Sequence, residues 1–191
     1  SLILISYIDG DWRIFTRGSF ADTNPFRGTL TDLPVSSNPS NNDTFGSRVR
    51  QYVDLTKLNP QFYYVFELCT PGAHITQYDK EFLALLAVVN TSTLDEVPYP
   101  LPSEFTMIST DPAAPIRQPV SFPVRSMDEL KATLDKQAPD FEGYVILARL
   151  PDSGVPFRIK VKSETYVSLH HLGTKTFTLE DLCKVVVAGE E

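Results

Sequence analysis

The amino-acid sequence predicts an α+β protein in which antiparallel sheets are flanked by helices. Asp9 and Gly10 separate two β-rich runs, which is a strong signal for a tight hairpin. Residues 157–162 alternate strictly between apolar and cationic side chains, as a half-buried strand does. Ser126 and Glu129 have the spacing of a helix capping box. Together these patterns predict a mixture of hairpin-connected sheet and capped helix.

The first half of the chain is predicted to be mostly strand. The β-rich and apolar runs predict strands over 1–8, 12–16, 62–69 and 82–89. The run 62–69 is apolar on both faces, which favours a central strand, whereas 82–89 also fits a buried turn of helix. Residues 21–44, rich in Asn, Ser, Pro and Asp, predict a long loop. Apolar residues at helical spacing predict a helix over 45–57.

The second half of the chain alternates more often between helix and strand. Two strands are predicted, over 141–150 and 157–162, and an edge strand over 119–124 precedes them. Helices are predicted near 103–107, from 126 to about 137, and over 179–187. A chain of 191 residues suits one large domain or two small ones, and we predict one domain core over 1–191.

Charge and composition restrict the kind of function. The net charge of −7 means that the overall field does not attract nucleic acid, so any polyanion site must be a local cationic surface. Cys69 and Cys183 have neither metal-ligand spacing nor a disulfide framework, and a reducing compartment is expected. No run approaches the roughly 18 apolar residues of a membrane span, and a signal peptide is absent from the sequence given. We therefore expect a cytoplasmic protein with no membrane partner.

Several familiar catalytic centres are not found. The sequence contains neither a Walker loop nor a Gly-x-Ser-x-Gly elbow. His74, His170 and His171 lack metal-ligand partners at useful spacing and are expected to be structural or exposed. Cys69 is expected to be a small core residue and not a nucleophile.

Three cations of the strand 157–162 share one of its faces. Arg158, Lys160 and Lys162 occupy successive same-face positions, with apolar residues between them. Like charges at this spacing repel each other, so they need either solvent or an anion opposite them. The strand is thus either the solvated side of a half-buried sheet or a phosphate-binding face.

Two carboxylates accompany the cationic strand. Glu67 lies within an apolar strand, where an ionised carboxylate is costly unless it is paired, so it is either at a solvated strand end or in a site. Glu142, followed by Gly143, stands at the start of the strand that precedes the cationic one. Lysines neutralise phosphate, one carboxylate can hold a divalent cation, and the other can accept a hydrogen bond from a ribose hydroxyl. This set suits nucleotidyl transfer, which depends on positioning and electrostatics.

The order of these motifs resembles that in a known enzyme family. Residues 66–68 (Phe-Glu-Leu), 142–145 (Glu-Gly-Tyr-Val) and 157–162 (Phe-Arg-Ile-Lys-Val-Lys) resemble motifs III, IV and V of covalent nucleotidyltransferases, the ATP-dependent ligases and mRNA capping enzymes. Residues 15–20 and 162–170 more narrowly resemble phage-type single-strand RNA ligases that repair broken tRNA. The resemblance extends from Ser1 to about Leu172.

The resemblance implies a fold and an activity. The fold would be the ATP-grasp-like nucleotidyltransferase (adenylation) domain, here N-terminally truncated. The activity would be that of an ATP-dependent RNA ligase, which transfers AMP from ATP to a lysine, then to an RNA 5′-phosphate, and finally seals that end to a 3′-hydroxyl. The implied cofactors are ATP or AMP with Mg²⁺ or Mn²⁺. The partners would be single-stranded or tRNA-like RNA ends, and the protein would be a monomer in a phage-infected host cell.

The resemblance also implies roles for individual residues. Glu142 would help to hold the metal and orient the nucleophilic lysine, while Lys160 and Lys162 would contact the phosphates of ATP and AMP. The four other implied contacts are Glu67 to the ribose, Arg17 near a phosphate, and Val145 and Leu85 on the two faces of the adenine.

The nucleophile of the family is missing from the residues given. In the family it lies in a Lys-x-Asp-Gly motif directly before a strand like 2–8, whereas this chain begins at Ser1 and has no lysine before Arg13. We expect that motif immediately upstream of Ser1, and we expect the chain alone to form no covalent adduct with AMP. The alternatives are a nucleotide- or RNA-binding module without chemistry, a capping-type guanylyltransferase, and a structural domain with a solvated basic face.

Overall fold

The computed structural model describes two compact units. The described residues are 1–23, 44–71, 76, 78–113, 115–139, 141–150, 152, 154 and 156–168. The first unit contains Ser1–Ala73 and Tyr78–Phe122, and the second contains His74–Gln77 and Pro123–Glu191. Both units contain antiparallel strands and short helices in their described parts, which confirms the predicted α+β class. The prediction of one domain core over 1–191 stays a prediction.

A five-stranded antiparallel sheet forms the first unit. Its strands lie in the order β3-β2-β1-β4-β5. Their bounds are β1 Leu2–Ile8, β2 Asp11–Thr16, β3 Ser19–Phe20, β4 Phe62–Cys69 and β5 Phe82–Asn90. The four predicted strands are confirmed, and β4 lies inside the sheet as expected. The short β3 was not predicted, because two residues are too few to show alternation.

The hairpin between β1 and β2 follows from its two turn residues. Asp9 and Gly10 both have positive φ angles, 52° and 84°. Such angles give the turn a twist that matches the twist of the two strands, and Asp-Gly adopts them at low cost. The turn sets the register in which Ile5 pairs with Ile14, and both side chains are buried.

The core of the first unit lies against one face of this sheet. Alternate residues of the strands point to that face, because side chains alternate along a strand. The fully buried side chains include Ile3, Ile5, Ile14, Tyr64, Phe66, Leu85 and Val88. The other face of β4 is only half-buried, and it carries Tyr63, Val65 and Glu67. Burial of these large side chains supplies the main favourable free energy of the unit.

A helix, α1, covers the core at Phe45–Tyr52. The side chain of Thr44 accepts a hydrogen bond from the backbone N–H of Ser47, and the Ser47 hydroxyl accepts one from the N–H of Thr44. The helix was predicted to continue to residue 57 but ends five residues earlier. Asp54 ends it, because its carboxylate accepts hydrogen bonds from the backbone N–H and the hydroxyl of Thr56. A single 3₁₀ turn, Leu55–Lys57, follows.

The connection from β5 to the second unit contains little regular structure. A short helix, α2, is found at Ser103–Thr106, as predicted. The predicted edge strand over 119–124 is wrong, since these residues have no regular secondary structure. Pro119 and Pro123 lack the backbone N–H that a strand would need for its ladder. Instead, Arg117 forms a single parallel bridge to Ala84 of β5.

The second unit contains a helix and a two-stranded antiparallel sheet. The helix α3, Met127–Leu134, begins as predicted, with the Ser126 hydroxyl accepting from the Glu129 N–H at 3.1 Å. The strands are β6, Gly143–Arg149, and β7, Pro156–Lys162, and both were predicted. Residues 164–168 form a helical turn directly after β7.

Some predictions fall on residues outside this description. They are most of the loop 21–44, the helix over 179–187, the three histidines and Cys183. Cys69, at the end of β4, is a buried core residue, and its burial raises the pKa of the thiol. Within the described part of the chain, no helix is long and apolar enough to cross a membrane.

Candidate functional site

One face of the β6–β7 sheet combines cations with exposed apolar side chains. The register places Val145 opposite Lys160 and Leu147 opposite Arg158. Residues directly opposite each other in an antiparallel pair project to the same face. Val145 and Leu147 are 57% and 43% exposed. The face therefore presents a row of positive charge along β7 beside an open apolar strip along β6.

Glu142 lies at one end of this row and binds two of its cations. Its Oε1 atom is 2.6 Å from the Nζ atom of Lys160 and 3.2 Å from that of Lys162. The structure thus brings together the three residues that the sequence analysis placed at the catalytic centre. We call Glu142, Lys160 and Lys162 the anion-binding cluster, because the three groups together carry one net positive charge when all are ionised.

The carboxylate of Glu142 is held in its ionised form. Partial burial by itself raises the pKa of Glu142, but hydrogen bonds and charge attraction from Lys160 and Lys162 outweigh that effect. The net result is a pKa below the ordinary value of 4.5. At neutral pH the cluster therefore contains a carboxylate and two ammonium groups within hydrogen-bonding distance.

Gly143 fixes the position of Glu142 against the end of β7. Its φ angle is +145°, and a Cβ atom at this position would lie 2.0 Å from the carbonyl oxygen of Val161. The carbonyl oxygen of Glu142 in turn accepts a hydrogen bond from the Ser163 N–H at 3.0 Å. Only glycine permits this close approach of the two strands. The acid-glycine pair of the sequence is therefore one structural unit.

The ion pairs of Glu142 predict a pH dependence of stability that Glu142→Gln removes. The folded pKa is lowered, so the unfolded chain takes up a proton first as the pH falls, and the stabilisation is lost from about pH 4.5 downward. Because the carboxylate is more than a third exposed, the effect should not exceed about 1 kcal/mol. Urea unfolding at pH 6 and pH 3.5 measures it in the wild type and the variant.

The matched control is Glu164→Gln, which removes an exposed carboxylate from the helical turn after β7. This variant should show the same pH dependence of stability as the wild type. An equal loss of stability with falling pH in the wild type and in Glu142→Gln would contradict the proposed ion pairs.

Glu67 lies in the first unit, on the half-open face of its sheet. It is opposite Leu2 in the pairing of β1 with β4, and its side chain is 40% exposed. The carboxylate is therefore partly solvated, which explains how an acid is accommodated beside the buried Phe66 and Leu68. The contact of Glu67 with a ribose stays a prediction.

Arg17 and Leu85, also in the first unit, differ greatly in exposure. Arg17 is exposed in the tight turn between β2 and β3, next to Gly18, whose φ angle is +127°. Its role near a phosphate stays a prediction. Leu85 has no exposed surface and belongs to the core. A ligand cannot reach its side chain in this conformation, whereas the next residue, Leu86, is half-buried.

Replacing Leu85 by alanine is expected to lower the free energy of unfolding by about 3 kcal/mol, because the change leaves a cavity in a packed core. Chemical denaturation measures the loss. The control Leu94→Ala removes a side chain that is 71% exposed and should change stability by less than about 0.5 kcal/mol. A stability loss at Leu85 as small as that at Leu94 would contradict the core assignment.

Leu147 belongs to the face of the β6–β7 sheet that carries the cations, although the sequence alone did not indicate it. It follows Val145 by two positions and so lies on the same face of β6. The strict alternation of 157–162 could have indicated Leu147. Residues directly opposite each other in a strand pair lie on the same face, so every second residue of β6 must lie beside the cations. What was lacking was the register, which decides which apolar residue is opposite which cation.

The donor groups fit a divalent cation only together with a bound phosphate. Among the described residues, no group of three or more His, Cys, Asp or Glu side chains could hold a metal. Mg²⁺ usually keeps several waters and binds through one or two carboxylates plus substrate phosphates. Glu142 alone meets that requirement when a nucleotide supplies the remaining oxygens and offsets the charge of the two lysines.

Comparisons with known proteins add no relative that could identify the site. No protein-family model matches the chain, and no curated protein sequence matches it. A functional proposal therefore depends on the site geometry and on the sequence motifs.

Proposed function

We propose that the chain is the nucleotide-binding core of an ATP-dependent RNA ligase with the nucleotidyltransferase fold. The observation that carries the proposal is the pair of contacts that Glu142 makes with Lys160 and Lys162. These residues occupy the positions at which the sequence resembles the phosphate-binding motifs of that family. The contacts support the proposal because they gather two cations and one carboxylate at one end of the sheet, where a nucleotide phosphate could bind together with a divalent cation.

The charge of the anion-binding cluster suits the polyphosphate of a nucleotide. Lys160 and Lys162 are half to a third exposed, so their ammonium groups remain open to a ligand on the solvent side. Each charge-assisted hydrogen bond to a phosphate oxygen is worth roughly 1.5–3 kcal/mol. Glu142 limits the repulsion between the two lysines when no ligand is bound.

The apolar strip beside the cluster suits the base of the same nucleotide. Val145 is exposed directly opposite Lys160, and Leu147 continues the strip. A flat aromatic base gains free energy by covering such surface, because apolar area leaves water. One strand thus offers contacts for the base and its neighbour offers contacts for the phosphates.

The proposed reaction has three steps. A neutral lysine nitrogen attacks the α-phosphorus of ATP, so a P–N bond forms, the bond to pyrophosphate breaks, and the nitrogen loses a proton to solvent. An oxygen of the RNA 5′-phosphate then attacks the same phosphorus, the P–N bond breaks, the lysine nitrogen takes up a proton, and a 5′-linked pyrophosphate bridge forms. Finally a 3′-hydroxyl attacks the phosphorus of the RNA end, AMP leaves, and the hydroxyl proton passes to solvent. Negative charge increases on the phosphoryl oxygens in each step, where Lys160 and Lys162 would stabilise it.

A divalent cation would enter this site with the nucleotide. Glu142 is the residue that would hold it, and Mg²⁺ would neutralise phosphate charge and polarise the reacting phosphoryl group. Glu142 would also keep Lys160 and Lys162 at a fixed separation while the phosphates bind.

The natural protein that contains this chain is the material for the test. It is incubated with ATP labelled at the α-phosphate and with Mg²⁺, then denatured in acid and separated by electrophoresis. We expect a covalent label on the protein. Unlabelled ATP should reduce this labelling more strongly than unlabelled GTP does. Replacing the lysine that carries AMP, which the proposal places in a Lys-x-Asp-Gly motif, should abolish the label.

The other outcomes would identify the alternatives. Reversible ATP binding without a covalent label would indicate a binding module that lacks chemistry. Stronger competition by GTP would indicate a capping-type guanylyltransferase. Absence of all nucleotide binding, by the wild type and by Glu142→Gln alike, would leave the solvated basic face as the explanation.

A further inference from the structure

Tyr166 lies beside the anion-binding cluster and has no role in the function proposed above. It belongs to the helical turn 164–168 that follows β7. Ser163 begins this turn, and its hydroxyl accepts a hydrogen bond from the Tyr166 N–H at 3.1 Å. The same hydroxyl donates to the carbonyl oxygen of Phe141 at 2.8 Å, next to Glu142. The backbone of the turn is therefore tied directly to the strand end that carries the carboxylate.

The side chain of Tyr166 contacts two members of the cluster. The Nζ atom of Lys162 lies 5.1 Å from the centre of the tyrosine ring, within the range of a cation–π interaction. Burial raises the pKa of Tyr166, and the nearby Glu142 raises it further, first through its charge and then through a hydrogen bond with the phenol. The phenol therefore keeps its proton at neutral pH, and its O–H can donate a hydrogen bond to the carboxylate.

We propose that Tyr166 is a positioning residue, whose hydroxyl orients the Glu142 carboxylate and whose ring limits the movement of the Lys162 ammonium group. The inference rests on the proposed function, in which this cluster binds nucleotide phosphates. Its ligand class is a nucleoside polyphosphate, and Tyr166 acts on it through Glu142 and Lys162.

The geometry explains why such a residue is useful. A lysine ammonium group is a point charge on a flexible stem, so a single contact does not fix it. One oxygen of Glu142 holds both ammonium groups, and the contact with Lys162 is the longer one, 3.2 Å against 2.6 Å. The tyrosine ring gives Lys162 a second contact, and the hydroxyl restrains the carboxylate that both lysines share.

Tyr166→Phe separates the hydroxyl from the ring. The natural protein that contains this chain is titrated in a calorimeter with Mg²⁺ and α,β-methylene ATP, an analogue of ATP that cannot transfer AMP. We expect the Kd for the analogue to rise about fivefold, since the lost hydrogen bond is to a charged but partly solvated group. The control Tyr144→Phe removes a hydroxyl from the same sheet, at a position opposite Val161, and should leave the Kd unchanged. An unchanged Kd in Tyr166→Phe would overturn the proposal.

A double variant tests whether the hydroxyl acts through Glu142. In the Glu142→Gln background, Tyr166→Phe should change the Kd by less than about 1.5-fold, because residues that act through a shared contact are not additive. A merely structural tyrosine would weaken binding by the same factor in both backgrounds, and that outcome would overturn the proposal.

A third measurement remains informative even if the wild type binds no nucleotide. The phenol of Tyr166 is titrated by NMR with ¹³C-labelled tyrosine, and its signal is assigned with Tyr166→Phe. Glu142→Gln should lower the pKa of Tyr166, because it removes the negative charge and the acceptor that raise it. An unchanged pKa of Tyr166 in Glu142→Gln would show that the phenol does not contact Glu142. A lowered pKa in a protein without ATP affinity would keep the contact and reject the proposed function.

Discussion

Replacing Lys160 by methionine is expected to weaken ATP binding by about 10- to 100-fold. Methionine keeps the approximate length and volume of the side chain but removes the ammonium group that is 2.6 Å from Glu142. The loss of one charge-assisted hydrogen bond to a phosphate, about 1.5–3 kcal/mol, corresponds to this factor. The Glu142 carboxylate would in addition be left with a single lysine partner and would repel the phosphates more strongly.

Calorimetric titration with Mg²⁺ and α,β-methylene ATP, an analogue that cannot transfer AMP, measures the change. The matched control is Lys131→Met, in which an exposed lysine of α3 is replaced in the same unit. Both variants lower the net charge by one, so a non-specific field effect would weaken binding equally in the two. Equal affinities for this analogue in Lys160→Met and in the wild type would rule out the anion-binding cluster as the phosphate site.

Replacing Gly143 by alanine is expected to destabilise the β6–β7 sheet by about 3 kcal/mol or more, and to abolish nucleotide binding with it. The added Cβ atom would lie 2.0 Å from the carbonyl oxygen of Val161 and 2.7 Å from the Cα atom of Lys162. Both are backbone atoms, so they can move away only if β7 separates from β6. That separation would displace Glu142 from Lys160 and Lys162 together.

Gly154→Ala is the control that distinguishes steric overlap from backbone strain. Gly154 also has a positive φ angle, +69°, but a Cβ atom there would have no neighbour within 4 Å. Its replacement should cost only about 1 kcal/mol, the ordinary penalty for a left-handed alanine. Unfolding by urea and titration with the same ATP analogue measure both variants. Similar losses of stability in Gly143→Ala and Gly154→Ala would contradict the close approach of β7 to Gly143.

Only part of this site could be derived from the sequence. The alternation of 157–162 indicated that Lys160 and Lys162 share a face, since a strand has only two faces. The sequence also placed Glu142 and Gly143 at the start of the preceding strand. It could not show that one carboxylate oxygen binds both lysines, because that contact depends on the register and on the unusual φ angle of Gly143.

The errors have equally local causes. The helix over 45–57 was expected to be longer, because apolar spacing continues past Tyr52, but the Asp54 side chain binds the backbone and ends it. The edge strand over 119–124 was expected from its apolar residues, but its prolines lack ladder donors. The burial of Leu85 became visible only once the sheet had been assembled against its core, and its contact with a nucleotide stays a prediction.

The sequence by itself determined six of the seven described strands, the shared face of the three cations, the hairpin at Asp9 and Gly10, and the identity of the charged residues beside the cationic strand. These features depend on neighbours two to four positions apart, which the order of residues specifies directly. Only the tertiary structure decided that Tyr166 contacts Glu142 and Lys162, and that Leu147 joins Val145 opposite the cations. Such contacts join residues that are distant in the chain, and strand pairing, which is cooperative and sensitive to a shift of one residue, brings them together.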